Sequence, residues 1–307
     1  MKRKKLNVGV IGIGYLGKYH LEKFINNKQC DTAWIVDTNI DNIDLNGYDS
    51  IQKSSNYKEI LNDVDAVSLV TPTKMHFKIA KFFLENKKHV LIEKPMTETV
   101  AQAKKLVDLA KKNKVILQVG HLERFNPVMK RLTKEISDPL FIEVHRLAKF
   151  NPRSTDVNVI FDLMIHDIDI VTTLMKKKIK NVSAFGKKII TKSTDIANVR
   201  LEFFDGAVAN LTASRISQKN ERKIRVFEKD KYYSVDFMNS NIKKYIKNSK
   251  TSKELFSFKE FKYDKTDALK DEIDNFILSC LGKQKPLVDG KQGKAAVETA
   301  TLISKLL

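Results

Sequence analysis

Cysteine is nearly absent: Cys30 and Cys280 are the two in 307 residues, far apart and in no C-x-x-C pair. A disulfide framework and a structural zinc site are therefore not expected, and both thiols read as reduced core residues of a cytoplasmic protein. Proline (6) and glycine (11) are too few for a collagen-like or low-complexity chain, and 42% hydrophobic residues exclude disorder. No apolar run approaches the roughly 20 residues that span a bilayer, so no membrane partner is expected. The start MKRKK-LNVGVIGIGYLG imitates a secretory leader. Glycines interrupt its apolar run, however, no small-residue cleavage site follows, and KYHLEKF continues it as an amphipathic helix. Arginine is also sparse, at nine positions, so the formal charge of +19 is mostly lysine spread along the chain. With no zinc knuckle, RNP-type aromatic motif or basic heptad region, the excess predicts no nucleic-acid partner but a preference for small anions.

What is present is alternation. Short β-branched runs at 6–11, 32–36, 65–70, 89–93 and 115–119 are separated by helical patterns at 16–26, 75–86 and 99–112. Strands alternating with helices of this length predict βαβ units and a doubly wound parallel sheet, a Rossmann domain over residues 1–121. The rhythm then changes. Asn126-Pro127 opens a short helix, 140–148 reads as a strand, 159–175 as a helix, and 180–246 holds several strand-like runs with hairpin signals at Asp205-Gly206 and Lys229-Asp230. Helices at 268–281 and 292–306 flank the turn Asp289-Gly290. Residues 122–307 are thus expected to form an α+β domain with a large, mostly antiparallel sheet.

Gly12-Ile13-Gly14-Tyr15-Leu16-Gly17 is G-x-G-x-x-G, and its context gives it meaning. It follows the apolar VGVI, opens a helix, and precedes Asp37 at the end of the next strand, AWIVD. Gly12 permits the tight turn, Gly14 the approach of a pyrophosphate, and Gly17 close helix–strand packing, while the helix N-terminus holds the phosphates. Asp37 is suited to the ribose hydroxyls. It repels a 2′-phosphate, and Thr38, Asn39 and Ile40 bring no cation to rescue one, so NAD is expected rather than NADP. Thr71-Pro72-Thr73 and Glu93-Lys94-Pro95 close the next predicted strands, where ligands of open parallel sheets bind, and His76 follows within reach.

These residues resemble the Gfo/Idh/MocA oxidoreductases. The likeness runs through VGVIGIGYLGKYHLEKF, SLVTPTKMHF, HVLIEKPMTETVAQAKKLVDLAKKN, LQVGHLERFNP and FDLMIHDIDIV, in that family's order and spacing. It implies a Rossmann domain and a C-terminal domain whose open sheet mediates homodimer or homotetramer contacts. It further implies that Lys94 stands beside the nicotinamide, commonly with a cis bond to Pro95, and that the family's D-x-x-x-H falls on Asp162 and His166. Positions four apart on an α-helix lie about 40° apart around the axis, so Asp162 and His166 share a face, with Asp169 a turn further. An imidazole held by a carboxylate can accept a hydroxyl proton near neutral pH as hydride leaves the same carbon. Lys94 would hydrogen-bond that oxygen and stabilise its developing charge. No further ligand cluster accompanies this motif, so no metal is expected.

Within the family, GHLERFNP, NPRSTDVNVIFDLMIHDIDIV and SRISQKNERKIRVF resemble the branch that oxidises UDP-N-acetylglucosamine at its 3-hydroxyl, a step toward the diamino sugar of lipid A. That resemblance nominates Arg124, Asn126 and Arg153, beside Asp162 and His166, as substrate contacts, with Arg215 and Arg222 as further candidates for a diphosphate. A dehydrogenase of a free polyol such as inositol, a sensor that binds NAD and sugar without turnover, and a tetrapyrrole reductase are the competing readings. The joint presence of Lys94 and His166 favours an enzyme.

Overall fold

The computed structural model describes residues 5–44, 47–48, 50–151, 157–249, 252–264 and 266–307. They form two compact units, one running to Leu122 and including Asp267–Val297, the other comprising Glu123–Thr266 and Glu298–Leu307. The sequence pattern assigns all of 122–307 to the second domain, whereas Asp267–Val297 belongs with the first unit. Helix α6 (Ala268–Cys280) explains it: Ile273, Phe276 and Ile277 lie fully buried in the same apolar cluster as Leu6, Val8, Val10, Leu21 and Phe24.

The first unit carries six parallel strands: β1 (Leu6–Ile11), β2 (Cys30–Val36), β3 (Gln52–Ser54), β4 (Ala66–Leu69), β5 (His89–Glu93) and β6 (Leu117–Gly120). Their order is β3-β2-β1-β4-β5-β6, the doubly wound arrangement whose topological switch lies between β1 and β4. Strand β1 buries all its residues but Asn7, as expected where helices cover both faces of a sheet. Helices α1 (Tyr15–Ile25), α2 (Thr73–Glu85) and α3 (Val100–Asn113) supply crossovers. Thr99 and Gln102 close a capping box on α3. The sequence pattern omits β3, whose three residues QKS offer no apolar alternation. Cys30 is buried and free, and burial pushes its thiol up to about 12, which keeps it protonated.

The second unit holds α4 (Pro127–Glu135), α5 (Ile165–Met175) and an eight-stranded sheet. Its strands are β7 (Phe141–Leu147), β8 (Ile179–Lys187), β9 (Ile196–Phe203), β10 (Val208–Ser214), β11 (Glu221–Phe227), β12 (Lys231–Asp236), β13 (Asn241–Lys247) and β14 (Phe256–Lys262). The order is β14-β13-β12-β11-β7-β10-β9-β8, with β7 and β10 parallel and the other neighbours antiparallel. Asp205-Gly206 turns β9 into β10, Gly206 taking φ +89°. One sheet face packs Val144, Val199, Leu201, Leu211 and Val226 against α4 and α5 residues such as Leu132, Ile168 and Leu174. On this sheet Phe141, Phe227, Tyr232, Tyr245 and Phe258 form a ladder with ring centroids 4.7–5.6 Å apart across five adjacent strands. The last helix, α7 (Gly290–Ser304), begins at the predicted turn, where Asp289 Oδ1 accepts from the Lys291 and Gln292 N–H groups. Among the described residues no helix is long and apolar enough to cross a membrane.

Candidate active site

In the first unit the glycine motif forms the turn from β1 into α1. Gly12 has φ +91°, and its N–H donates to the Val36 carbonyl at 2.7 Å, locking the turn against the end of β2. A Cβ on Gly17 would collide with the Gly12 carbonyl, so glycine is what allows α1 to start so close to the strand. Gly14 differs, because a Cβ there would meet nothing within 4 Å. The space over Gly14 is open, and no side chain caps the first turn of α1. An uncapped helix N-terminus beside an open glycine fits a pyrophosphate. Asp37 Oδ2 accepts from Ile13 N–H at 2.7 Å and Oδ1 from Asn39 N–H at 2.9 Å, which pins the carboxylate and leaves lone pairs for a diol. Tyr15 and Leu16 point outward and are exposed, while Ile13 is buried.

These groups border a cleft of about 640 Å³ lined by Gly12, Gly14, Asp37, Thr38, Thr71 and Pro72 among others. The Thr71 hydroxyl oxygen is buried with no hydrogen-bond partner among the described residues, an atom that a ligand could satisfy. Ser55, Asn56, Tyr57 and Lys74 also line the cleft and escaped the sequence reading. The first three follow the unforeseen β3, and Lys74 stands one residue beyond the Thr71-Pro72-Thr73 motif.

Lys94 follows β5, half-buried, and its peptide bond to Pro95 is cis, as the family resemblance implies. His76 is buried, with Nδ1 3.0 Å from the Pro95 carbonyl and Nε2 2.8 Å from that of Thr71. It therefore stands between the two loops, and as a neutral ring it donates its single N–H to one of the two carbonyls. Burial lowers its pKa despite those carbonyls and the charges of Glu93 and Glu98, which favours the neutral ring. Glu93 turns its carboxylate toward His20, 3.2 Å away, and toward the Lys94 N–H, also 3.2 Å.

The second unit presents Asp162 and His166, both half-buried, on a helix that is not uniform. Residues Ile160–Met164 form a π-helical turn before α5 begins at Ile165, where the sequence pattern predicts one α-helix throughout. The wider turn rotates successive side chains by less per residue and displaces Asp162 from the α-helical register, a distortion common at functional positions. Asn158 starts it, its Oδ1 accepting from the Ile160 and Phe161 N–H groups at 3.2 Å each. The remaining acids of the motif are interior. Asp167 accepts from Arg146 Nε at 2.9 Å through both oxygens, and Asp169 pairs with Arg124 at 3.3 Å.

The structure commits several expected substrate residues elsewhere. Arg124 is buried and donates to Thr173 Oγ1 at 2.6 Å as well as to Asp169. Asn126 Oδ1 caps α4 by accepting from Val128 N–H at 2.9 Å. Arg215 is buried and donates to the Val157 carbonyl at 2.6 Å. Arg222 keeps 53% of its side chain exposed and meets Glu123 at 3.2 Å. Arg153 lies outside the described residues. Among those described, the cluster of possible metal ligands is His20, Glu93 and Glu272, none of them in the D-x-x-x-H motif.

Residues 6–121 match the model of the oxidoreductase family with an NAD-binding Rossmann fold, and residues 134–232 match the GFO/IDH/MocA C-terminal domain. The chain is 33% identical over 299 residues to UDP-N-acetylglucosamine 3-dehydrogenase of Acidithiobacillus ferrooxidans, covering 96% of this chain and 95% of that protein. A solved structure of that enzyme superimposes with a TM-score of 0.92, covering 99% and 98% of the two chains at 32% identity. Myo-inositol 2-dehydrogenase of Thermotoga maritima is 27% identical over 95% of this chain and 93% of its own. A fold with a glycine turn open to a dinucleotide, two family domains matched in sequence, and end-to-end similarity to a named dehydrogenase establish that this chain belongs to the Gfo/Idh/MocA family of oxidoreductases and is a dehydrogenase acting on CH–OH groups.

Proposed function

We propose that the chain oxidises the 3-hydroxyl of UDP-N-acetylglucosamine with NAD as acceptor. The observation that carries this reading is the 33% identity to a UDP-N-acetylglucosamine 3-dehydrogenase over nearly the full length of both chains, against 27% for the inositol dehydrogenase of comparable coverage. Gly12 to Gly17, Asp37 and Thr71 to Thr73 hold the dinucleotide, and bound NAD supplies the hydride acceptor. Asp37, with no basic residue among Thr38, Asn39 and Ile40, favours NAD over NADP. His166 takes the proton from the substrate hydroxyl while Asp162 orients the imidazole. Lys94 hydrogen-bonds the same oxygen and stabilises its negative charge as the carbonyl forms. Arg222, with its exposed guanidinium, is suited to the diphosphate. The aromatic ladder on the open sheet supports assembly into a homodimer or homotetramer.

Oxidising a secondary alcohol with NAD is uphill at neutral pH, so the test removes the ketone as it forms. The protein is incubated with UDP-N-acetylglucosamine, NAD, glutamate and a sugar-nucleotide 3-aminotransferase, and the 3-amino product is sought by mass spectrometry. That product is the expected outcome. No product, together with ready reduction of NAD by inositol or another free polyol, would reassign the substrate.

A further inference from the structure

At the Lys94 turn the first unit brings two carboxyl groups together, Glu272 buried and Glu93 half-buried. Glu272, on α6, has no exposed surface, and neither of its carboxyl oxygens has a hydrogen-bond partner among the described residues. The ionisable groups facing it are Glu93 at the end of β5 and His20 on α1; one polar atom from each of the three residues lies within 4.8 Å of the others. Lys94 follows Glu93 in the chain.

The three are unequally supplied with partners. Glu93 Oε2 accepts from the Lys94 N–H at 3.2 Å, and Oε1 stands 3.2 Å from His20 Nε2, whose ring is fixed by a 3.0 Å contact between Nδ1 and Ser68 Oγ. The space Glu93 occupies is reserved by Gly120, since a Cβ there would lie 2.6 Å from Oε1. Glu272 has less: its backbone carbonyl accepts from Gln118 Nε2 at 3.0 Å, but among the described residues its carboxyl oxygens have no hydrogen-bond partner and lie near the other acid and the imidazole. With Glu272 wholly out of solvent, two carboxylates this close are not both ionised, and the charge stays on Glu93, which is half-buried and has the Lys94 N–H as a donor. Burial and the Glu93 charge push Glu272 well above the usual carboxylate range. Burial would raise Glu93 as well, but the adjacent His20 and then the neighbouring Lys94 bring it below its ordinary value.

We infer that Glu272 is a neutral carboxylic acid at neutral pH and gives its proton as a hydrogen bond to the Glu93 carboxylate. His20, Glu93 and Glu272 then form a proton-holding triad, and Glu272 is a positioning residue for the turn that carries Lys94. The effect on turnover rests on the role given to Lys94 above; the protonation state does not.

A carboxyl whose folded pKa lies above its unfolded value of about 4.3 holds a proton that the unfolded chain has lost, so stability falls as pH rises toward the folded pKa. Glu272→Gln keeps an N–H donor toward Glu93 and cannot ionise. Its melting temperature relative to the wild type should therefore climb as pH rises above the unfolded carboxyl value of about 4.3. At pH 7 the wild type should show the infrared carbonyl stretch of a protonated carboxyl, shifted in D2O and missing in Glu272→Gln. Glu272→Leu, which has no donor, should lose turnover roughly tenfold, on the scale of one buried hydrogen bond, and Gln should restore it. If Glu272→Gln does not fold, loss of the infrared band as the wild type is titrated upward decides the protonation. Absence of the band at pH 7, a melting difference that is flat with pH, or one equivalent of metal bound to the purified protein overturns the triad. Wild-type turnover in Glu272→Leu overturns its positioning role. A wild type inactive on UDP-N-acetylglucosamine counts against the substrate, leaving the infrared and melting data to judge the triad.

Discussion

In the proposed reaction Lys94 stabilises an oxygen and His166 removes its proton, and neither part involves the pyrophosphate. Their loss should therefore separate binding from chemistry. Lys94→Ala and His166→Ala are each expected to lower kcat by about 10²–10⁴-fold, the contribution typical of general acid–base groups. NAD binding measured by calorimetry should stay near the wild-type value. Asp162→Asn should cost less if Asp162 only orients the imidazole, and a loss as large as that of His166→Ala would mean that it also grips the sugar. Wild-type rates in either alanine variant assign the chemistry to another side chain. The arginines teach a complementary lesson about single residues. A guanidinium is equally at home on a phosphate and in a buried ion pair, and sequence does not distinguish the two. Arg124 and Arg215 turn out to be interior ties, joined to Asp169, Thr173 and the Val157 carbonyl, whereas Arg222 remains half in solvent.

The turn from β1 to α1 makes separable claims about fold and ligand. Gly17 is needed by the protein itself, since an added methyl group meets the Gly12 carbonyl, a backbone atom that cannot swing aside. Gly17→Ala should destabilise the folded chain by about 1–3 kcal/mol of overpacking. At Gly14 the methyl group enters open space. Gly14→Ala should leave the melting temperature nearly unchanged while weakening NAD roughly tenfold, or about 1.4 kcal/mol. Equal stability losses in the two variants would mean that Gly14 serves packing and not a ligand. This element was legible in the sequence because its function and its backbone geometry demand the same residues in the same order. The parallel sheet was legible because β1, β4 and β5 are mostly apolar runs between amphipathic helices. Where either signal weakens, so does the reading. The polar edge strand β3 left no pattern, and with it went Ser55, Asn56 and Tyr57 of the cleft. The π turn at Ile160–Met164 is a single-turn deviation inside an otherwise helical periodicity, set by how Asn158 caps it and not by hydrophobic spacing. Glu272 shows a further limit. Its helix reads as an ordinary terminal amphipathic segment, and only the tertiary return of α6 to the first unit brings its carboxyl to Glu93.

At the scale of the whole molecule the surplus of 56 basic over 37 acidic residues is the property that best separates the two substrate readings. Lysines spread along the chain create no local site, but their summed field draws anions from solution and is screened over about 10 Å at 0.1 M salt. A nucleotide diphosphate sugar carries two negative charges, and a free polyol carries none. With NAD saturating, kcat/KM for UDP-N-acetylglucosamine is expected to fall about three- to tenfold between 0.05 and 0.5 M salt, the effect lying in KM more than in kcat. Inositol offered under the same conditions should change by less than about twofold, because there is no charge for the field to act on. Steady-state rates with the ketone trapped, measured across that range of sodium chloride, provide the comparison. Salt-independent use of a sugar nucleotide would mean that the basic surface has no part in recognition. Faster, salt-indifferent turnover of the polyol would place this chain beside the inositol dehydrogenases and leave its lysines a property of the surface alone.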